Sequence, residues 1–276
     1  MSASIPLERP QSGAHNAVMR FSRAIVCAPS ATFANGLTSS GALGRPDVRR
    51  ALGQHQEYCR ALAECGLQIT ELPPDEKYPD GTYVEDTAVV AARVAIVTRP
   101  GAESRAGEVA AVAAALRCLT TQLEKIEAPG TLDGGDLCQV GEHFLIGISG
   151  RTNEAGAAQL TRILMRHGYT ASTVDIRGHR ELLHLKSGIA YLGDERLVIS
   201  PNFPQIDALA GYTRLKVEAA ETYAANCLRV NDTVLLPAGN PRVTSHLRDL
   251  GYSVRLLDMS EFQKMDGGLS CLSIRF

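Results

Sequence analysis

The sequence of 276 residues contains no tryptophan, and only 5% of its residues are aromatic. It has no apolar run near the roughly 18 residues that a membrane-spanning helix needs. Its net charge of −2 means that basic residues are not in excess, as they would be in a protein that binds a polyanion. We therefore expect neither a nucleic-acid partner nor a membrane partner. With 45% hydrophobic and 21% charged residues, the composition is that of an ordinary globular protein.

The cysteines form no C-x-x-C pair and no ladder of cysteine and histidine ligands. A disulfide framework and a structural zinc site are therefore not expected. Most of these thiols are expected to be reduced core residues. The seven are Cys27, Cys59, Cys65, Cys118, Cys138, Cys227 and Cys271.

The start of the sequence lacks the apolar core of a signal peptide and carries both Glu8 and Arg9. We interpret residues 1–22 as a flexible leader rather than a secretory signal. Residues 23–276 are long enough to bury a sizeable core and are predicted to form a single domain. The expected location is the cytoplasm.

A pattern of two short apolar strands joined by a tight polar turn recurs along the chain. Each hairpin is followed by a helical segment, a glycine or polar cap, and another strand, with the segment 204–218 as the weakest copy. Gly66, Gly168 and Gly251 follow predicted helices, as left-handed caps do. The hairpins are 86–98, 136–147, 188–200, 226–237, and a fifth made by 271–276 together with 23–29.

These repeats predict a closed ring. A strand–strand–helix–strand unit cannot bury its apolar faces alone, whereas a ring of such units can. We therefore expect an α/β fold, a five-bladed α/β propeller of repeated ββαβ units with pseudo-fivefold symmetry. Its strands would lie inside and its helices outside. An ordinary open α/β sheet is the alternative.

The loops that open the hairpins carry chemically reactive side chains. In a closed ring, equivalent loops converge near the axis, so we expect these residues to share one cavity. Two acidic loops, a histidine, an amide and a thiol indicate a catalytic cavity more than a random surface. The loops contain Glu85 and Asp86, the segment 133–136, His184, Asn226 and Cys271.

Cys271 follows a Gly-Gly turn and heads the last short strand of the sequence. A core cysteine needs no such turn, whereas a nucleophile needs a well-placed sulfur atom. A cationic substrate or a neighbouring His184 would favour the thiolate over the thiol. Core packing is the alternative interpretation for both residues.

The two acidic loops require a cation between them. Asp133 and Asp136 frame a Gly-Gly pair, and Glu85 and Asp86 form the second loop, so the loops would repel each other. A metal ion is one candidate, but no calcium-loop spacing is present. A planar guanidinium, which carboxylates bind in pairs, fits better.

Arg99 and Arg151 follow the second strands of successive hairpins. Two arginines in register suggest a clamp for a substrate carboxylate, with surface exposure as the alternative. A substrate with a guanidinium at one end and a carboxylate at the other would be arginine or a derivative of arginine.

The motifs PDGTYVEDTAVV, VTRPGAES, TLDGGD, GRTN, HLKSGIAYL, AANC and DGGLSC resemble those of the dimethylarginine dimethylaminohydrolase family, in the guanidine-modifying pentein superfamily. The resemblance extends from about residue 23 to the C-terminus. It implies the propeller fold and no cofactor. It also implies hydrolysis of Nω,Nω-dimethyl-L-arginine, and of the monomethyl compound, to citrulline and an amine. The reaction would pass through a covalent thiouronium on Cys271, without a required metal.

The resemblance also implies roles for individual residues. Cys271 would be the nucleophile and His184 the general acid and base, while Asp133 would orient His184 or contact the substrate nitrogens. Some relatives carry glutamate in place of Asp133. Acidic side chains would hold the guanidinium and the α-amino group, and the two arginines the carboxylate. The implied substrate-binding residues are Leu37, Asp80, Glu85, Asp86, Arg99, Arg151, Met265 and Asp266.

Several alternatives stay open at this point. An arginine or agmatine deiminase, or an amidinotransferase, would use the same scaffold. A non-catalytic binding protein would be expected to lack Cys271 or His184, and both are present. A homodimer, inhibition by zinc at Cys271 and the role of Asn226 are not decided by the sequence.

Overall fold

The computed structural model describes residues 20–119 and 122–276. Its strands form five three-stranded sheets. In each sheet the middle strand pairs antiparallel with one neighbour and parallel with the other. The strands are β1 (Arg23–Cys27), β2 (Gln68–Leu72), β3 (Ala88–Ala91), β4 (Val94–Val97), β5 (Leu123–Lys125), β6 (Leu137–Val140), β7 (His143–Ile148), β8 (Thr170–Asp175), β9 (Ile189–Tyr191), β10 (Arg196–Ile199), β11 (Thr213–Lys216), β12 (Leu228–Val230), β13 (Thr233–Pro237), β14 (Ser253–Leu257) and β15 (Ile274–Arg275).

The sheets close into a ring of five units. Four sheets follow chain order, as β3-β4-β5, β6-β7-β8, β9-β10-β11 and β12-β13-β14. The fifth is β15-β1-β2, in which Ile274 lies opposite Ile25, so the two ends of the sequence complete one unit as predicted. The first strands of the hairpins contact one another, β15 with β3, β6 with β9, and β9 with β12. The predicted α/β propeller is confirmed, and the open sheet is excluded.

Helices follow the hairpins. Asp47 caps the first helix by accepting hydrogen bonds from the backbone of Arg49 and Arg50. Gly66, Gly168 and Gly251 have φ values of +92°, +79° and +87°, which confirms the predicted left-handed caps. The α-helices are α1 (Val48–Glu64), α2 (Val109–Arg117), α3 (Glu154–Arg166), α4 (Pro241–Asp249) and α5 (Ser260–Gln263). Within the described residues, no helix is long and apolar enough to cross a bilayer.

The unit that contains β9, β10 and β11 departs from the pattern. Its connecting segment forms only a 3₁₀ turn at Asp207–Leu209, so the prediction of a helix in every unit is wrong here. Pro204 and Gly211 bracket this segment and leave too few residues to nucleate an α-helix. This is the segment that the sequence marked as the weakest copy.

The core lies between neighbouring units. Ile96 of β4, Ile146 of β7 and Leu160 of α3 are fully buried in one apolar cluster that joins two units. Val234 of β13 and Val198 of β10 meet in another. Each unit therefore buries its apolar faces against the next one, as the closed ring requires.

A short 3₁₀ turn precedes the first strand of every hairpin. Neighbouring turns contact each other, which brings the residues that they carry to one end of the ring. These turns are Val84–Thr87, Gly134–Asp136, Leu185–Ser187, Ala219–Asn226 and Ser270–Leu272. The predicted reactive loops are the same segments.

The predicted leader falls mostly outside the described residues, which begin at residue 20. Of its last residues, Phe21 donates its backbone N–H to Asn231 Oδ1 at 2.8 Å. Ser22 donates to the carbonyl of Phe276 at 2.9 Å. The backbone is therefore already bound to the ring before residue 23, and the division into leader and single domain stays a prediction.

Candidate active site

Cys271 lies in the 3₁₀ turn Ser270–Leu272, where the backbone N–H of Gly268 points to its Sγ at 3.4 Å. Burial raises the pKa of the Cys271 thiol to about 12, and the carboxylates of Glu85 and Asp86 add to the rise. The Gly268 N–H and the ammonium of Lys186 act in the opposite direction. The free site therefore holds a protonated thiol surrounded by negative charge.

His184 stands at the start of the turn Leu185–Ser187. Its Nε2 lies 3.0 Å from Oδ2 of Asp133, which has no exposed surface. Burial alone would lower the pKa of His184, but Asp86, Asp136 and Asp133 outweigh it and raise the pKa to about 10. The imidazole is therefore a cation at neutral pH and can donate a proton.

The turn Gly134–Asp136 fixes the histidine from two sides. Asp133 accepts the backbone N–H of Gly101 at 2.8 Å through the oxygen that His184 does not use. Asp136 accepts the N–H of Leu185 at 3.0 Å and the hydroxyl of Ser149 at 2.6 Å. The two aspartates thus hold the ring and the backbone of the histidine turn, respectively.

Asp86 acts on both the thiol and the imidazole. Burial and Glu85 raise the pKa of Cys271, and Asp86 raises it further. Burial lowers the pKa of His184, and Asp86 is the largest of the effects that raise it. The backbone N–H of Gly135 donates to its Oδ1 at 2.9 Å. A Cβ on Gly135 would lie 2.8 Å from Nδ1 of His184 and 2.9 Å from the same Asp86 oxygen. Only glycine allows this close approach.

Both carboxylate oxygens of Glu85 already accept hydrogen bonds from protein side chains. Its carboxylate accepts from the hydroxyl of Ser270 at 2.7 Å, from Nζ of Lys186 at 2.7 Å and from Nη2 of Arg275 at 3.1 Å. A cavity of about 170 Å³ on the axis is lined by Glu85 and Lys186 but not by Cys271, His184 or Asp133. We therefore assign Glu85 to the wall between this cavity and the reactive turns.

A loop at residues 36–40 is bound at both ends to acidic side chains. The backbone N–H of Leu37, which is 42% exposed, donates to both oxygens of Asp80, at 3.1 and 3.2 Å. Asp266 accepts the N–H of Ser39 at 2.5 Å and the hydroxyl groups of Ser39 and Ser40. Its neighbour Met265 accepts through its carbonyl from the hydroxyl of Tyr83 at 3.3 Å. The carboxylate of Asp266 is thus engaged with this loop.

The two predicted arginines differ in exposure. Arg151 is half-buried and close enough to lower the pKa of Asp80, in which burial is the dominant, opposing effect. Arg99 is exposed, and its Nη1 donates to the carbonyl of Gly130 at 3.2 Å. The hydroxyl of its buried neighbour Thr98 bonds inward to the Asp86 carbonyl at 2.6 Å, whereas the Arg99 side chain is exposed. Arg99 is thus not part of the buried cluster.

Asp86, Asp133 and His184 bring ligand atoms within 4.8 Å of one another, a spacing that a metal ion can use. The neighbouring carboxylates outweigh the lowering effect of burial and raise the pKa of His184 to about 10, so a metal ion would have to displace the proton from the imidazole. The hydrogen bond from His184 to Asp133 fits proton transfer better than coordination.

The family follows from comparison with known proteins. A family model described as arginine deiminase matches residues 115–222. N(G),N(G)-dimethylarginine dimethylaminohydrolase of Pseudomonas aeruginosa is 45% identical over 257 residues, which cover 93% of this chain and 100% of that protein. The Streptomyces coelicolor protein of the same name is 35% identical over 92% of this chain and 96% of its own length. The chain belongs to the dimethylarginine dimethylaminohydrolase family.

Solved structures of this family superimpose closely on the chain. One is the Pseudomonas aeruginosa protein, a cysteine-to-serine variant complexed with citrulline. It has a TM-score of 0.90 and 44% identity, and the match covers 94% of this chain and 100% of that one. Another dimethylarginine dimethylaminohydrolase structure, a histidine-to-glycine variant in an adduct with S-methyl-L-thiocitrulline, has a TM-score of 0.89 and 44% identity, with 93% and 100% coverage. The resemblance seen in the sequence motifs is confirmed.

Within this family member, the structure adds one residue that the sequence did not single out. Arg105 is 5% exposed and donates from Nη1 to Asp86 at 2.6 Å and from Nη2 to Glu108 at 2.7 Å. It also reaches the carbonyls of Asp80 and Tyr83. The signal in the sequence was faint, an acidic residue three positions after an arginine in a loop.

Proposed function

We propose that this protein hydrolyses Nω,Nω-dimethyl-L-arginine to L-citrulline and dimethylamine, and the monomethyl compound to citrulline and methylamine. The observation that carries the proposal is the placement of Asp86, which acts electrostatically on both the thiol of Cys271 and the imidazolium of His184. A nucleophile and a proton donor that share a buried carboxylate form a site for a cationic electrophile. The citrulline and S-methyl-L-thiocitrulline bound by the solved relatives support this substrate class.

Binding of the guanidinium is the step that activates the thiol. The cation offsets the negative charge of Asp86 and Glu85, which removes part of the cause of the high pKa of Cys271. The thiol releases its proton to solvent, and the Sγ thiolate then attacks the guanidinium carbon. His184 gives its proton to the departing dimethylamine as the C–N bond breaks. A thiouronium, covalently attached through Sγ, remains.

Water completes the reaction. His184, now neutral, takes a proton from water as its oxygen attacks the thiouronium carbon. The C–S bond breaks, Sγ takes back the electron pair together with the remaining proton of the attacking water, and citrulline is released. Asp133 holds the imidazole in one orientation for both proton transfers, through its bond to Nε2. One water molecule is consumed, and no cofactor takes part.

The two ends of the substrate are recognised by different groups. Asp80, together with the backbone of Leu37 and Met265, contacts the α-amino group. Arg151 contacts the carboxylate, and Arg99 is assigned an outer role in that clamp because its side chain is exposed. Asp266 holds the loop over the site through Ser39 and Ser40 rather than contacting the substrate directly.

The remaining properties belong to the proposal as well. The protein acts in the cytoplasm, on a small molecule and without nucleic-acid or membrane partners. We propose a homodimer, which light scattering at several protein concentrations tests. Zinc that inhibits at Cys271 stays a hypothesis.

A second candidate function is arginine deimination, which the matching family model favours. Both functions use the same nucleophile, and the groups at the guanidinium decide between them. Structures described as an arginine dihydrolase share the fold at 18% identity and a TM-score of 0.82, which shows the fold alone.

The test compares citrulline formation from asymmetric dimethylarginine, monomethylarginine, arginine and agmatine. Wild type is set beside Cys271→Ser and beside Cys138→Ser, which replaces a buried thiol in β6. We expect turnover of the methylated substrates, lost in Cys271→Ser and kept in Cys138→Ser. Faster turnover of arginine would establish the deiminase instead, and full activity of Cys271→Ser would remove the nucleophile assignment.

A further inference from the structure

We propose that Asn226 is a positioning residue that joins the nucleophile turn to the histidine turn. The proposal rests on the assignment of Cys271 as the nucleophile. Asn226 ends the turn Ala219–Asn226, and it is 6% exposed. No step of the reaction described above uses it.

The amide of Asn226 is bound on both sides. Its Nδ2 donates to the carbonyl of Lys186 at 2.8 Å, in the turn that follows His184. The same Nδ2 donates to Oγ of Ser270 at 3.1 Å, and Oδ1 accepts the backbone N–H of Ser270 at 3.1 Å. One side chain therefore links the residue before the nucleophile to the backbone beside the histidine.

Asn226 also packs against Gly268. A Cβ on Gly268 would lie 2.3 Å from Oδ1 and 2.5 Å from Cγ of Asn226, so the amide rests directly on this backbone. Gly268 supplies the N–H that points to Sγ of Cys271. Asn226 thus contacts the chain on both sides of the nucleophile, at Gly268 and at Ser270.

Ser270 extends this linkage to the acidic turn. Its hydroxyl donates to Oε2 of Glu85 at 2.7 Å while it accepts from Asn226. Four of the five reactive turns are therefore connected through one asparagine and one serine. A chain of satisfied, buried hydrogen bonds of this kind fixes relative position more firmly than a single contact.

The consequence for the reaction is electrostatic as well as geometric. The Gly268 N–H favours the thiolate over the thiol, and so does Lys186. The groups that oppose the thiolate are Glu85 and Asp86, and the hydroxyls of Tyr83 and Tyr223 are the other titratable neighbours. If Asn226 is removed, Gly268 and Lys186 lose a common support, and the thiolate becomes harder to form.

The test measures the rate of Cys271 alkylation by iodoacetamide, read from the peptide that contains Cys271, in Asn226→Ala and in wild type over the pH range in which the fold is stable. We expect slower alkylation at each pH and a fall in kcat of about 10- to 100-fold, with KM changed by less than about threefold. Asn226→Asp, nearly isosteric, keeps the acceptor for Ser270 but loses the donor and adds negative charge, so it should slow the alkylation further.

Asn240→Ala is the matched control. Asn240 is equally buried, and its Nδ2 also donates to backbone carbonyls, those of Pro237 and Ala238, next to α4. It should lose stability without a change in the alkylation profile. If Asn226→Ala behaves like Asn240→Ala, with wild-type alkylation and kcat, Asn226 is structural only and the proposal is wrong.

Asn226→Asp covers the case in which Asn226→Ala folds poorly, and a double-mutant cycle tests the contact between Asn226 and Gly268. Gly268→Ala alone collides with the amide and should lower kcat strongly. In Asn226→Ala/Gly268→Ala the collision partner is gone, so the combined loss should be smaller than the product of the two single losses. Independent losses would contradict the proposed contact. If Asn226→Ala is alkylated at Cys271 like wild type while Cys271→Ser abolishes activity, this proposal is wrong and the proposed function stands.

Discussion

Nε2 of His184 lies 3.0 Å from Oδ2 of Asp133, and both side chains are buried. The contact joins two units of the ring, one carrying each residue. Because Asp86 and Asp136 also lie near the imidazole, the proton on His184 is retained to about pH 10. In the proposed reaction, the leaving amine receives this proton.

The retained proton predicts how stability changes with pH. The pKa of His184 rises from 6.5 to about 10 in the folded protein, after the opposing effect of burial is outweighed by the carboxylates. Between these values the native state holds a proton that the unfolded chain has lost. The stabilisation is therefore complete below about pH 6.5 and declines as pH rises towards 10, at up to ~1.4 kcal/mol per pH unit.

Urea unfolding between pH 7.5 and 8.5 measures this slope. His184→Gln should show a smaller loss of stability over the interval than wild type. His55→Gln is the control, because burial lowers the pKa of His55 to about 4 and keeps it neutral throughout. An unchanged slope in His184→Gln would contradict the charged imidazole.

Gly135→Ala should inactivate the protein while leaving most of its stability. The new Cβ meets both His184 and Asp86 within 3 Å, so the reacting groups must separate. A displacement of this size costs about 100-fold in kcat. The control is Gly53→Ala on the exposed face of α1, where a Cβ meets nothing within 4 Å and should stabilise the helix by about 1 kcal/mol. Wild-type kcat in Gly135→Ala would argue against the close packing of these side chains.

Arg105→Met and Arg99→Met should differ in their effects on stability and on activity. Loss of Arg105 leaves Asp86 and Glu108 buried without their cation, at a cost of about 3–5 kcal/mol. Activity should also fall, because Asp86 loses its position. Loss of the exposed Arg99 should change stability by less than about 0.5 kcal/mol and raise KM modestly, with kcat kept. Thermal unfolding and steady-state kinetics distinguish the two variants. Equal effects on stability and on kcat would contradict the burial of Arg105 and the exposure of Arg99.

Asp266→Asn should loosen the loop at residues 36–40. The carboxylate accepts from Ser39 and Ser40, and a neutral amide binds such donors more weakly. We expect a several-fold rise in KM and faster proteolysis within the loop. Asp232→Asn, at an exposed ion pair with Arg20, is the control and should leave both unchanged. A fall in kcat with unchanged loop proteolysis would instead indicate direct contact between Asp266 and the substrate.

The ring and the location of its reactive turns could be predicted from the sequence, because both follow from local patterns. Hairpins, caps and Gly-Gly turns are short-range signals, and the repeat supplies the closure. The turn before each hairpin could then be placed near the axis without coordinates. This is why Cys271, His184 and Asp133 could be assigned to one cavity from the sequence.

The partners within the site could not be predicted in the same way. Asp133 and Asp136 frame the same Gly-Gly pair, and only the folded chain shows that Asp133 contacts the imidazole while Asp136 binds the Leu185 backbone. Arg99 was predicted from its register, yet its side chain is exposed, and Arg105 was not singled out from the sequence. Arg105 is buried because it meets Asp86, 19 positions earlier in the chain, as well as the adjacent Glu108.

The covalent intermediate on Cys271 is the central claim, and intact-protein mass spectrometry of samples quenched with acid during turnover of asymmetric dimethylarginine tests it directly. We expect an added mass equal to the substrate minus dimethylamine, which proteolytic digestion of the same sample locates on the peptide that contains Cys271. Turnover to citrulline with no adduct at any quench time, or an adduct on another cysteine, would contradict it.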